Sequence, residues 1–112
     1  MELLPKDIEQ KLRANYKVNA GKEQTTDHKP VVKFFHPKTT ATWLITELDP
    51  GNVMFGLCDL GLGSPEMGYV ALSEIEETLA FGIPIERDLD FEADKTLTKY
   101  ADLARNKGYI AT

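Results

Sequence analysis

Apolar positions along this chain recur first with a helical period and then with a strand period. Ile8, Leu12 and Tyr16 stand four apart with charged residues between them, behind Pro5, whose missing N–H suits a first helical turn. A short amphipathic helix over 5–16 is predicted. Residues 19–30 are polar and include Gly21. Twelve residues is long for a connection in a small domain, so this stretch reads as a mobile loop or as a cover over something. Beyond it the pattern changes. Val31-Val32-Lys33-Phe34-Phe35 is β-branched and aromatic, and reads as a strand. Pro37-Lys38-Thr39-Thr40 turns it into a second strand over 42–48. Asp49-Pro50-Gly51-Asn52 is the strongest turn signal present, because Pro presets φ and Gly accepts positive φ. A third strand over 53–58, a loop over 61–65 and a fourth strand over 68–72 complete a meander.

Ser73 and Glu76 have the spacing of a capping box, which predicts a short helix ending before Gly82. From 85 to 92 the residues alternate. Ile85, Arg87, Leu89 and Phe91 would point one way, and Glu86, Asp88, Asp90 and Glu92 the other, as on a half-buried strand. A last helix has Leu97, Tyr100, Leu103 and Ala104 on its apolar side, with Asp94 as cap and Gly108 as stop. Helical patterns do not alternate with strand patterns. The predicted fold is therefore α+β: a mostly antiparallel four- or five-stranded meander sheet packed against N- and C-terminal helices, with one short internal helix.

Composition narrows the function classes. The 112 residues suit a single domain, 1–112, burying roughly 65% of its unfolded surface. One cysteine excludes an internal disulfide and a cysteine-based zinc cluster. No apolar run approaches a membrane span or a secretory signal, so the expected address is the cytoplasm. The net charge of −5 conceals a segregation. Residues 47–94 hold twelve carboxylates against one base, Arg87, while the flanking segments are each +3. A negative chain with its bases at the two ends is a poor general nucleic-acid binder, and no direct nucleic-acid binding is expected.

The acids are the sharpest feature. Glu74, Glu76 and Glu77 fit a helix start, where the helix dipole favours them, Asp49 a turn, and Asp94 a cap. The set Glu86, Asp88, Asp90 and Glu92 would form a ladder with neighbours about 6.7 Å apart. Two exposed charges at that spacing repel by about 0.6 kcal/mol in water, which solvent tolerates. The ladder therefore suits a wetted strand or an electronegative surface. A straight ladder spreads its oxygens too far to gather round a calcium ion, and no metal site or cofactor is expected. Arg87, alone among acids, would clamp Glu47 or Glu66, snorkel from an edge, or bind an anion in a pocket. The loop Gly61-Leu62-Gly63-Ser64 lacks the Lys-Ser/Thr ending of a phosphate loop. Cys58, on an apolar strand, reads as a small core residue rather than as a thiol nucleophile served by His36. Trp43, Tyr69, Phe34, Phe35 and Phe55 read as mostly core, with one or two free to line a pocket.

Several words of the chain, taken in order, resemble a known family. Val32-Lys33-Phe34-Phe35-His36-Pro37 comes first, then Thr42-Trp43 and Thr46-Glu47-Leu48-Asp49. Phe55-Gly56, Glu66-Met67-Gly68-Tyr69 and Leu72-Ser73-Glu74-Ile75-Glu76 follow. Gly82-Ile83-Pro84-Ile85-Glu86-Arg87-Asp88 with Phe91 completes the set. Together they resemble the small bacterial family known as domain of unknown function 2958, over about residues 1–92. The resemblance implies a protein often carried on plasmids and integrative elements. It implies no activity and supplies no catalytic residue.

Two readings follow. The first is a non-enzymatic interaction module whose acidic surface, Glu86, Asp88, Asp90 and Glu92, meets a basic protein partner such as a nucleic-acid enzyme. The second is a small enzyme or ligand-binding domain with a pocket around Trp43, Glu47, Tyr69 and Arg87, with Glu66 near it. Geometry separates them: the second requires Glu47 and Arg87 to converge beside aromatics.

Overall fold

A computed structural model describes all 112 residues. Its elements run α1 (Lys6–Asn19), β1 (Val32–Phe35), β2 (Thr42–Leu48), β3 (Val53–Asp59), β4 (Glu66–Ala71), α2 (Leu72–Glu77), β5 (Leu79–Ala80), β6 (Ile83–Pro84), β7 (Glu86–Arg87) and α3 (Leu97–Lys107). The main sheet has the order β4-β3-β2-β1-β7, and every neighbouring pair is antiparallel. The expected α+β meander with its three helices is the observed fold. No helix is long and apolar enough to cross a membrane.

Alternation along the strands divides the side chains between two faces. On one face Val32, Phe34, Trp43, Ile45, Leu48 and Met54 join Leu12 of α1, Ile75 of α2 and Ile85 in a single buried cluster. Leu3, Leu4 and Ile8 pack against it, so the N-terminal segment and two helices close this side. On the other face Leu44 and Leu57 meet Leu97, Tyr100, Ala101 and Ala104 of α3. Burying one such aliphatic side chain is worth about 1.5–3 kcal/mol, so both clusters hold the helices in place.

Two devices fix the register. The Asp49 carboxylate accepts the backbone N–H groups of Gly51 and Val53, and the β2–β3 turn forms where predicted, although the positive φ, 62°, falls on Asn52 and not on Gly51. Arg13 of α1 then grips that turn, donating to the Asp49 carbonyl at 2.9 Å and to the Asn52 side chain at 2.8 Å. Further along, β2 carries a bulge between Ile45 and Glu47, opposite Gly56 and Phe55. There the backbones approach so closely that a Cβ on Gly56 would stand 2.0 Å from the Leu44 carbonyl oxygen. Glycine is required at that position by contact with the neighbouring strand.

Four local expectations are corrected. The first helix continues to Asn19, three residues past the predicted end, because Asn19 is buried and held by side-chain hydrogen bonds. The Ser73–Glu76 capping box does not form. The strand runs directly into α2 with Ala71 at the N-cap, since Leu72 packs on the core and donates its N–H to the Asn52 carbonyl. Asp94 does not cap α3, which starts at Leu97 behind Thr96; Gly108 ends it in the left-handed region as predicted. The strand predicted over 85–92 is only two residues long. Its pairing with β1 ends as Asp88 donates to the Lys33 carbonyl. The Asp88 side chain then accepts the Asp90 N–H and turns the chain away. Leu89, expected to face the core, is 67% exposed. The β5–β6 hairpin, with Phe81 and Gly82 at positive φ in its turn, was not foreseen.

Candidate functional site

The α3 face of the sheet borders most of the charged residues singled out above. A helix with its side chains is about 10–12 Å across. Five strands at about 4.8 Å spacing span about 19 Å between the outer strand axes. One helix over β2 and β3 therefore leaves a groove on either side. Both grooves exist, and their chemistry differs.

The groove on the β1–β7 side has a volume of about 480 Å³ and is lined by Lys33, Asp88, Asp90, Glu92, Asp94 and Lys95, with Phe91, Tyr100 and Leu103 beneath. Three of the four acids that looked like a ladder, Asp88, Asp90 and Glu92, instead follow a bent segment and line one groove with Asp94. Lys33 reaches Asp88 at 3.5 Å, and Lys95 reaches Asp94 at 2.6 Å while lying 4.5 Å from the centre of the Tyr100 ring. The Tyr100 hydroxyl donates to Asp94 at 3.0 Å. The hydrogen bond from Lys95, then that from Tyr100, holds the Asp94 carboxyl below its ordinary value, and the Lys95 ammonium is raised in turn. Burial is the main reason the Tyr100 phenol is pushed up. Asp90 and Glu92 have no cationic partner in the chain. Glu86, on β7, pairs with Phe35 of β1 and borders a different cleft, near the N-terminal segment.

The second groove, toward β4, is made of two adjoining clefts of about 310 and 340 Å³ that share Asn19, Thr25, Glu47 and Phe55. Loop 19–30 forms one wall. It is tied down at three places. Asn19 exchanges hydrogen bonds with the Thr26 backbone in both directions, at 2.8 and 3.1 Å, and its amide also donates to Glu47 at 3.0 Å. The His28 carbonyl accepts the Leu97 N–H at 2.9 Å. The Asp27 carboxylate accepts the Thr98 N–H and hydroxyl. These last two cap α3 from a loop seventy residues earlier, the work assigned to Asp94 from sequence. Burial alone would raise the Asp27 carboxyl, but the hydrogen bonds from Thr98, with the hydroxyl of Thr96 and His28 nearby, hold it below its ordinary value.

The residues of the predicted pocket do not assemble. Glu47 is paired with Phe55, and Phe55 with Tyr69, so all three lie on the α3 face. Trp43 belongs to the opposite core and is 6% exposed. Arg87 is paired with Phe34 of that same core, and its guanidinium donates to the Glu2 carbonyl at 3.3 Å rather than to Glu47 or Glu66. The sheet itself separates Glu47 from Arg87. Glu66 is exposed at the start of β4. Tyr69, read as core, is 77% exposed, its ring 5.1 Å from Phe55. Conversely, Asn19, Asp27 and His28 border a groove that sequence did not assign to them; the length and polarity of their loop was the available signal.

The remaining chemistry is quiet. Burial pushes the Cys58 thiol up to about 11, which suppresses the thiolate needed of a nucleophile. His36 is spent on the Ala80 and Ile83 carbonyls, holding the β5–β6 hairpin. No three of the His, Cys, Asp and Glu side chains gather closely enough to hold a metal ion.

The fold defines a small α+β protein with clefts on both faces of the sheet: two grooves flank α3, and on the α1 face one cleft of about 570 Å³ lies by the N-terminal segment and one of about 340 Å³ beside Trp43 and Ile75. The chain belongs to the family described as protein of unknown function (DUF2958), whose family model matches residues 3–111. No curated protein and no solved structure matches it.

Proposed function

We propose that the protein is a non-enzymatic interaction module that receives a basic segment of a protein partner in the groove bounded by Asp88, Asp90, Glu92 and Asp94. The observation that carries this reading is their shared groove: four carboxylates and two lysines line it, a balance of −2, together with Phe91 and Tyr100. The groove already accommodates an ammonium group against a carboxylate and an aromatic ring, as Lys95 shows with Asp94 and Tyr100. Asp90 and Glu92, which have no cation of their own, are left to receive incoming Lys or Arg side chains, and Phe91 and Leu103 in the same groove offer apolar contact to their aliphatic stems.

Such a surface acts mainly by steering encounter and choosing the sign of its partner. Exposed ion pairs are worth about 0–1 kcal/mol each, so affinity arises from several together and falls as salt screens them. Fluorescence anisotropy with an oligolysine peptide tests this. Binding should weaken steeply as salt rises. The double variant Asp90→Asn/Glu92→Gln should bind severalfold more weakly, up to about tenfold as two lost pairs approach 1.4 kcal/mol. Equal affinity of the variant and the unmodified protein would end the proposal.

A further inference from the structure

The groove on the β4 side carries chemistry that the acidic groove does not share. Glu47 lines both of its clefts. One carboxylate oxygen accepts from Asn19, and the other has no hydrogen-bond partner within the chain. No Lys, Arg or His nitrogen lies within ion-pairing distance of it. Glu47 is half-buried, so this is a partly desolvated charge without a counter-ion. Beside it stand Phe55 and the largely exposed Tyr69, tilted 52° to one another. The adjoining cleft includes His28, whose Nε2 is buried with no hydrogen-bond partner, and the Asp27 carboxylate. Each cleft is at the lower end of the volume range of small-molecule sites, fit for a fragment of about ten heavy atoms.

From this we infer that the Glu47 groove is a binding site for a planar organic cation, an amidinium or guanidinium carried on an apolar body. The class follows from the pairing of groups. An unpaired carboxylate selects a cation. A planar cation presents two parallel N–H bonds to a carboxylate while its face rests on an aromatic ring, which a tetrahedral ammonium cannot do equally well. Phe55 and Tyr69 supply the ring faces, and the unmet polar atoms of Glu47 and His28 supply the partners for N–H and acceptor groups. The inference is independent of the acidic groove, which lies across α3 and uses none of these residues.

Benzamidine is the direct probe and benzamide its neutral isostere. With the full chain, millimolar benzamidine should raise the melting temperature and shift the amide resonances of Glu47, Phe55 and Tyr69. Benzamide should do neither. Glu47→Gln should weaken benzamidine binding at least tenfold. Tyr69→Ala, at a side chain too exposed to matter for folding, should weaken it severalfold. Glu77→Gln, an exposed change on α2, should leave it unaltered. Absence of benzamidine binding to the unmodified protein, equal binding of benzamide, or unchanged binding by both Glu47→Gln and Tyr69→Ala would each overturn the inference.

Discussion

The two faces of the sheet are built from the same alternation and end differently. One is covered by α1, α2 and the N-terminal residues Leu3 and Leu4, and encloses a nine-residue apolar cluster. The other is covered by α3 alone, encloses a six-residue cluster, and leaves a groove at each flank. Width decides the outcome: one helix cannot roof five strands. The uncovered strips then need side chains that tolerate water. On β1–β7 these are Lys33 and the acids after Arg87; on β2–β4 they are Glu47, Met67 and Tyr69. The α1 face has clefts too, beside the N-terminal segment and beside Trp43, so the faces differ in what covers the sheet rather than in whether there is room.

Substitutions can sharpen or break this division of labour. The largest effect belongs to the α1 face. Phe34→Ala removes a fully buried aromatic ring and should cost about 3–5 kcal/mol by chemical denaturation. A cost below 1 kcal/mol would mean that this face is not the structural one. Gly56→Ala comes next, at about 1–3 kcal/mol, because β2 must move to admit the methyl group.

Asp27→Ala tests the tie between loop 19–30 and α3. It should cost about 0.5–1 kcal/mol near neutral pH, the lower part of the range for a helix cap, because the carboxylate is largely exposed to solvent. Its folded-state value is depressed, so the contribution is present above the unfolded value of about 4 and is lost as pH falls through the folded one. Denaturation of the unmodified protein and the variant should therefore converge below about pH 4. The smallest effect belongs to the α3 face. Tyr69→Ala should alter stability by no more than about 0.5 kcal/mol, and a larger loss would make Tyr69 part of the core after all.

Much of the α1 face was legible in the sequence, because its rules are local. Helical spacing in Ile8 and Leu12, alternation in Val32 and Phe34, and the Asp49–Asn52 turn each report on neighbours a few residues away. The α3 face was legible only in part. The acids after Glu86 announced a charged segment, but their alternation imitated a strand. What turned the chain was one side chain, Asp88, accepting the N–H of Asp90. The cap on α3 was hidden for a different reason: Asp27 and His28 reach it from across the fold, while Asp94 stood in the expected position. Tyr69 shows the same limit. Its strand pattern permits either face and any depth, and only the sheet order, which puts β4 at an edge, decides that it meets solvent.

The account stands on the claim that binding belongs to the α3 face and architecture to the α1 face. Amide chemical shifts of the ¹⁵N-labelled protein, followed while an oligolysine peptide is titrated in at low salt, test it most directly. The predicted result is a set of shifts confined to Lys33, residues 88–95, Tyr100 and Leu103, reversed by salt. Shifts centred on α1 and α2, or none at any peptide concentration, would contradict it.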